Sequence, residues 1–383
     1  MPKMTQPANA ALSAMSAAVR ARFTKHLHDW YATHARSLPW RGIRNPYRTW
    51  LSEIMLQQTR VNAVMDHYAR FLGRFPTLIS LALALEDEVL AHWSGLGYYR
   101  RARMLHRTAK LLLEEHGGAL PETAEELRRL PGIGAYTSAA IASIAFHEAI
   151  AVVDGNVERV LLRVLGQPEA LGVAAKAMLE RTAQSLVPQK NPGDHNQAMM
   201  ELGATVCLPR GPLCMQCPVF TECRTRGEHT TLPRVPMKSQ RVRYGLTTRK
   251  PASGLEILLQ RRPAEASLMP GMLELPELRP EAEAIAPVLL DEPLLRVRHA
   301  ITGTNYYVEV LGMATRPRAA KLALRSGGFE WHPAKALVNL PLTGLARKVL
   351  QRLKLMRAPG NAVTPEVPLL IGRGGTARTG KEA

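Results

Sequence analysis

The sequence predicts a mainly α-helical protein followed by a smaller α+β module. Apolar residues recur at helical spacing from Phe23 to Cys223, with almost no strand-like alternation. Short β-like runs begin only after a basic, proline-containing stretch at 224–243. At 383 residues the chain is long enough for two or three domains with cores of their own.

The elements follow in order along the chain. Residues 1–20 read as a flexible N-terminal tail; the first 28, Ala-rich and basic with no acid, give an organellar transit peptide as the alternative. A helical domain is expected over 21–225. Within it Trp50-Leu51, Ile54-Met55, Val61, Val64-Met65, Tyr68 and Phe71-Leu72 keep one apolar face over about six turns. Further helices are expected at 86–93, 101–116, 122–130, 136–147, 156–165, 173–186 and 194–206. Ala135 to Val153 is the most apolar stretch. Thr137, Ser138, Ser143, His147 and Glu148 interrupt it, so it reads as a buried helix and then a strand-like segment, not as a membrane span.

Arg224, Arg226, Arg234, Lys238, Arg241 and Arg243, with Pro233 and Pro236, mark a basic linker, placed at 226–240. The α+β domain is placed at 241–358. Its β-like runs are Leu255–Leu259, Leu294–Val297 and Tyr306–Leu311, and helical patterns fall at 334–338 and 343–355. Residues 359–383, with Gly and Pro throughout, are expected to be disordered. No secretory leader and no internal repeat are expected.

The net charge of +18 says nothing about fold but favours a polyanionic partner. Nucleic acid is the first candidate and an anionic membrane surface the rival.

All four cysteines fall within 17 residues, as Cys207, Cys214, Cys217 and Cys223 in a C-x6-C-x2-C-x5-C pattern. A disulfide pair is possible in principle, but nothing suggests an oxidising compartment, and the x2 spacing favours metal ligation. Four thiolates hold either Zn2+ or a [4Fe–4S] cluster, and spacing does not choose between them. Arg210, on the loop between the first two cysteines, suits a phosphate contact or a solvated position equally.

Leu130-Pro131-Gly132-Ile133-Gly134 separates two helical patterns. Its glycines permit a tight turn and close backbone approach. The helix that follows would point free N–H groups and its positive dipole end outward, a natural phosphate site. A plain helix–helix connection is the bland alternative.

Two carboxylates stand out. Glu53 sits in Trp-Leu-Ser-Glu-Ile-Met-Leu-Gln-Gln-Thr, where apolar walls would keep it protonated, as a general acid requires. Asp154 follows the apolar run Ala149–Val153. Its plain reading is a helix cap, but Asn156 is expected to take that cap, which leaves Asp154 free to face a site. Paired carboxylates flanking a bond are the tools of glycosidic cleavage. The ordinary reading of each is a solvated residue or a cap.

Taken together, these residues resemble the adenine DNA glycosylase family within the helix-hairpin-helix, endonuclease III-like superfamily. Leu38-Pro39-Trp40-Arg41 and Trp50-Leu51-Ser52-Glu53 through Gln57-Gln58-Thr59 match its first motif. Gly95-Leu96-Gly97-Tyr98-Tyr99-Arg100-Arg101-Ala102-Arg103 matches its second. The LPGIG hairpin, Val153-Asp154-Gly155-Asn156-Val157, Asn196-Gln197-Ala198 and the cysteines follow in order. The likeness is close over 22–225 and loose over 240–355.

The resemblance implies a helix-hairpin-helix glycosylase fold with an iron–sulfur loop, acting on adenine mispaired with 8-oxoguanine or guanine in duplex DNA. Glu53 would protonate the base and Asp154 would stabilise the cationic sugar, with Tyr136 and Asn156 lining the reaction centre. Trp40, Arg41, Leu56 and Gln197 would form the pocket for a flipped adenine. Gln57, Gln58 and Tyr98 would fill the duplex beside the orphaned base. Leu130, Gly132, Gly134 and Arg210 would contact the backbone, and the cysteines would hold one [4Fe–4S] cluster. Relatives that nick the strand carry a lysine nucleophile where this chain has Tyr136, and a phenol cannot form a Schiff base. A monofunctional glycosylase leaving an abasic site is therefore expected. It would act as a monomer without a membrane partner, in the cytoplasm at the bacterial nucleoid, or in a nucleus or organelle.

Leu259-Gln260-Arg261-Arg262-Pro263 and Leu268 to Pro276 resemble a Nudix-like module that inspects the base opposite adenine. Residues 277–292 lack the acidic metal-binding helix of a working Nudix hydrolase, so recognition without hydrolysis is expected. The lesion-reading loop matches His299-Ala300-Ile301-Thr302-Gly303-Thr304. Thr302 would keep a hydroxyl contact, but the family's Phe and second His are absent, so this loop departs from the family's pattern for reading 8-oxoguanine. The alternatives are a zinc-stapled DNA-binding protein without catalysis, a Nudix hydrolase, and a pyrimidine-specific glycosylase with lyase activity.

Overall fold

The computed structural model describes residues 15–168, 172–229, 236–278, 292–301, 303–313 and 328–356. The chain divides into two compact units, Met1–Ala82 with Arg107–Arg234, and Leu83–His106 with Val235–Ala383.

Among its described residues the first unit is helical. Helix α1 (Ala17–His34) starts where the Ser16 hydroxyl accepts from the Val19 N–H, inside the stretch read as a tail. Met15 and Val19 continue the spacing of Phe23 and Leu27 back into this stretch and pack in the same core, but the alanines around them blur the rhythm. Helix α2 (Pro46–Leu56) is capped by Asn45 Oδ1, which accepts from the Arg48 N–H at 3.0 Å. Pro46 occupies the first turn, where its missing N–H is not needed.

The face expected to run unbroken from Trp50 to Leu72 is in fact two helices, α2 and α3 (Val61–Arg74). The break falls between them, with Gln58 in the left-handed region at φ 54°. Trp50, Ile54, Val64, Tyr68 and Phe71 are all buried and the two helices pack on each other. The apolar rhythm therefore passes across the break, and periodicity does not register it.

Next come α4 (Leu78–Ala82), α5 (Glu86–Trp93), α6 (Arg100–His116), α7 (Ala124–Arg129) and α8 (Ala135–Ala145). The last helices of the first unit are α9 (Gly155–Leu165), α10 (Gly172–Leu186) and α11 (Pro192–Thr205). Phe23 and Leu27 of α1 join Val160, Leu161 and Leu165 of α9 and Leu202 of α11 in one core. Burying each such side chain contributes roughly 1.5–3 kcal/mol.

The run Ala149–Val153, expected to be strand-like, joins no sheet among the described residues. Side chains satisfy its backbone instead: the Ala151 N–H donates to Gln184 Oε1 at 2.9 Å and the Val152 N–H to Asn196 Oδ1 at 3.0 Å. A short apolar run has the same composition whether a strand or a side chain pairs it.

The second unit holds α5, the start of α6 and two sheets. In one, β1 (Lys238–Leu246) runs parallel to β6 (Thr304–Gly312), which pairs antiparallel with β5 (Leu295–Ile301). In the other, β3 (Glu256–Arg261) pairs with β2 (Thr248–Arg249), β4 (Leu273–Glu274) and β7 (Phe329–Pro333). Helix α12 (Gly344–Arg352) buries Leu345, Val349 and Leu350 in a core with Ile257, Leu259, Val297 and Val310.

The expected runs lie in or against β3, β5 and β6. The strands β1, β2, β4 and β7 were not expected. β1 starts inside the stretch read as a linker because its arginines point to solvent and hide the alternation. The pattern at 334–338 forms a 3-10 turn, Ala334–Asn339, and that at 343–355 narrows to α12. No helix among the described residues is long and apolar enough to cross a membrane.

Candidate functional site

A cleft of about 670 Å3 opens in the first unit between the ends of α2, α8, α9 and α11. Glu53, Tyr136, Asp154, Asn156, Trp40, Arg41, Leu56, Gln57, Gln58, Gly134 and Gln197 all line it. These residues, spread over 158 positions from Trp40 to Gln197, meet at one place.

Glu53 is only 5% exposed on α2. The Tyr136 hydroxyl donates to its Oε2 at 2.6 Å. Burial pushes the Glu53 carboxyl up to about 7, with the neighbouring Asp154 charge pushing the same way. The Tyr136 hydrogen bond and Arg41 oppose that shift without cancelling it. Burial and the Glu53 charge in turn hold the Tyr136 phenol well above its ordinary range. Tyr136 reaches this position because Gly134 caps α8 and the helix begins at Ala135, one residue earlier.

Asp154, not Asn156, is the N-cap of α9. Its Oδ1 accepts from the Asn156 N–H at 2.9 Å and the Val157 N–H at 2.8 Å, and its Oδ2 from Asn156 Nδ2 at 2.9 Å. The expectation that Asn156 would cap and free Asp154 is therefore corrected. Capping and lining the cleft are compatible, because the cap fixes the carboxylate at the mouth of the helix and three donors hold it there.

Several residues that sequence reasoning missed complete the cleft. Glu201 binds Arg36 through Nε at 2.7 Å and Nη2 at 2.7 Å, and Arg41 through Nη2 at 2.7 Å. Burial pushes Glu201 up, but the two guanidinium groups outweigh it and hold the carboxyl at about 2. Arg41 also lies 5.5 Å from the Tyr31 ring, and Tyr31 donates to Gln197 Oε1 at 3.3 Å. The signal for Glu201 was its place one turn after Gln197 on the same helix. Thr137 accepts from Gln57 Nε2 at 3.1 Å. Gly203 lets α11 approach α9: a Cβ there would lie 2.6 Å from Asn156 Cβ. Trp40 is buried edge-on to Tyr68, with ring centroids 5.3 Å apart.

Other candidates lie elsewhere. Leu130 is buried, and Gly132 adopts φ 77°, which glycine alone takes without strain. Tyr98 belongs to the second unit and is 46% exposed at φ 48°. Arg210 is exposed. Thr302 lies outside the described residues.

The four cysteines form no disulfide and line one small cavity with Arg163, Phe220 and Arg226. Arg163 Nη1 donates to Cys207 Sγ at 3.4 Å and the Arg226 N–H to Cys223 Sγ at 3.5 Å. Among the described residues no three ligating side chains converge on a single metal ion. Donors aimed at sulfur suit a cavity that holds thiolates around a larger group. Arg159 joins this loop to the cleft, donating to Cys207 O at 2.8 Å and to Asn156 Oδ1 at 2.8 Å.

A family model described as HhH-GPD superfamily base excision DNA repair protein matches residues 51–189. Adenine DNA glycosylase of Mus musculus is 47% identical over 233 residues, covering 56% of this chain and 44% of the relative. That of Homo sapiens is 49% identical over 218 residues, covering 53% and 39%. That of Buchnera aphidicola subsp. Baizongia pistaciae (strain Bp) is 39% identical over 207 residues, covering 53% and 58%. The chain thus spans less than two thirds of the length of each of these relatives. The structure of a thermostable thymine-DNA glycosylase matches with a TM-score of 0.51 at 28% identity, over 55% of this chain and 97% of the other.

Proposed function

We propose that the chain, whose residues 51–189 match the HhH-GPD superfamily model of base excision DNA repair proteins, is a monofunctional adenine DNA glycosylase. It hydrolyses the N-glycosidic bond of adenine mispaired with 8-oxoguanine or guanine in duplex DNA and leaves an abasic site. The observation that carries the reading is a buried Glu53, raised to about 7, in the same cleft as the fixed Asp154 carboxylate.

The chemistry divides between the two acids. Adenine leaves poorly as an anion, so the protonated Glu53 gives its proton to the base as the C1′–N bond breaks and its electron pair departs with the base. The sugar is left cationic at C1′. Asp154, held by three N–H donors, stabilises that charge. Water adds at C1′, and the proton it loses restores Glu53. Tyr136 keeps the acid's Oε2 in place throughout. Trp40, Arg41, Leu56 and Gln197 enclose the flipped base, with Glu201 bracing Arg41.

Cys207, Cys214, Cys217 and Cys223 would hold one [4Fe–4S] cluster, which ties the loop beside Arg159 into a fixed shape. The hairpin at 130–134 and Arg210 would grip phosphates, and Gln57, Gln58 and Tyr98 would occupy the space left beside the partner base. The α+β module, with the hairpin between β5 and β6, would inspect that base in the manner of a Nudix-like domain without hydrolysis. Such a protein works where the DNA is, at the nucleoid of a bacterium or in the nucleus or organelle of a eukaryote.

The test is incubation with a duplex carrying adenine opposite 8-oxoguanine. Free adenine should be released with no efficient borohydride-trapped adduct. An efficient adduct would mean lyase chemistry and would overturn the monofunctional assignment.

A further inference from the structure

The turn between α5 and α6 carries Tyr98 at φ 48°, and the residue is 46% exposed. A left-handed backbone is unfavourable for an aromatic residue and persists only where the surroundings fix it. Those surroundings come from much later in the chain, within the same compact unit. The Leu342 carbonyl accepts from Ser94 Oγ at 2.7 Å and from the Tyr99 hydroxyl at 3.1 Å. Ser94 Oγ accepts in turn from Arg347 Nε at 2.7 Å, and the Tyr99 hydroxyl from the Gly95 N–H at 3.4 Å. Ser94, Tyr99 and Arg347 are all buried. Both ends of the turn are thus fastened to one carbonyl, and Tyr98 lies exposed between them.

The start of α12 lies beside the turn. A side-chain carbon built on Gly344 would sit 3.9 Å from the Tyr99 hydroxyl and 3.9 Å from His299 Nε2. The helix start therefore borders both the turn and strand β5. On the outer side, Arg101 lies 5.4 Å from the Tyr98 ring and 5.4 Å from the Trp93 ring, and it donates to Gly97 O at 3.2 Å. These contacts steady the ring but leave its outer face open.

We propose that the Leu342–Arg347 segment holds Tyr98 ready for insertion into DNA, with Arg347 as a positioning residue that acts through Ser94. The proposal rests on the reading of Tyr98 as the residue that fills the duplex beside the partner base. It gives the C-terminal module a part in DNA binding separate from base inspection, because it sets the geometry of a wedge that lies more than 240 residues earlier in the chain. Without the Arg347 donor, Ser94 loses one of the contacts that hold it against the Leu342 carbonyl.

Ser94→Ala and Arg347→Met test it, with Tyr98→Ala as the background for a double-mutant cycle. Ser94→Ala removes only the shared hydroxyl, so it carries the test if Arg347→Met fails to fold. Two readouts are taken: hydrogen exchange of the Leu96–Tyr99 amides in the free protein, and Kd for an uncleavable mispaired duplex. Each variant should speed exchange and weaken binding by about tenfold, the scale of one buried hydrogen bond. Neither should weaken binding further once Tyr98 is Ala. Unchanged exchange, or binding losses that add to that of Tyr98→Ala, overturns the proposal. If Tyr98→Ala alone binds like the wild type while the exchange still quickens, the wedge reading falls and the positioning of the turn stands.

Discussion

Tyr136 donates its phenolic proton to Glu53 Oε2 at 2.6 Å, joining the second residue of α8 to a carboxyl on α2. The bond opposes burial, since it favours the charged carboxylate that burial disfavours. The acid's working range is the balance of the two.

With Glu53 at about 7, the rate of base release should fall as pH rises through that value, because only the protonated form donates. Tyr136→Phe removes the opposing hydrogen bond and lets burial push Glu53 higher. Its alkaline limb should move up by roughly one pH unit, since a hydrogen bond to a charged group is worth about 1.5 kcal/mol. Single-turnover pH profiles of the two proteins decide it; a limb that stays or moves down contradicts the balance.

The same carboxyl makes stability depend on pH. Its folded value, about 7, lies above the ordinary 4.5, so the folded state binds the extra proton between these values. Stability is full below the lower value and declines as pH rises through the upper one. Glu53→Gln should match the wild type in urea at pH 4 and exceed it at pH 8 by on the order of 3 kcal/mol. Equal midpoints at both pH values would show that Glu53 ionises freely.

Gly203 lets α11 pass close to Asn156, where an added Cβ would meet Asn156 Cβ at 2.6 Å. Gly203→Ala should displace Asn156 and the Asp154 it holds. Activity should drop by about 100-fold, the scale of a misplacement near 1 Å, while stability falls by only about 1–3 kcal/mol. A variant as active as the wild type would mean the helix pair yields without moving the site.

Cys217→Ser removes one thiol from the four-cysteine cavity. Iron and acid-labile sulfide should be present in equal amounts in the wild type and fall sharply in the variant, with loss of visible absorbance. Zinc in place of iron would return the loop to the other option its spacing allows.

Much of the site was legible in the sequence because its parts are local. Helix starts, a glycine-framed hairpin and a run of cysteines each leave a signature within a few residues. Glu201 did not, because its role comes from Arg36 and Arg41 more than 150 positions earlier, and alone it is one more acid on a helix. Asp154 was found but misjudged, since one carboxylate serves as cap and as cleft wall. Helix positions followed the 3.6-residue rhythm well, but the break at Gln58 escaped because both flanking helices bury the same face. In the second unit, two-residue strands and a strand with exposed arginines gave periodicity little to register.

The most direct test of the central claim is single-turnover cleavage of a duplex with adenine opposite 8-oxoguanine, comparing the wild type with Glu53→Gln. The wild type should release adenine, and the variant should bind the duplex as tightly while its rate falls by about 10²–10⁴-fold, the contribution of a positioned acid. Equal rates, or no release by a wild type loaded with its cluster, would contradict it.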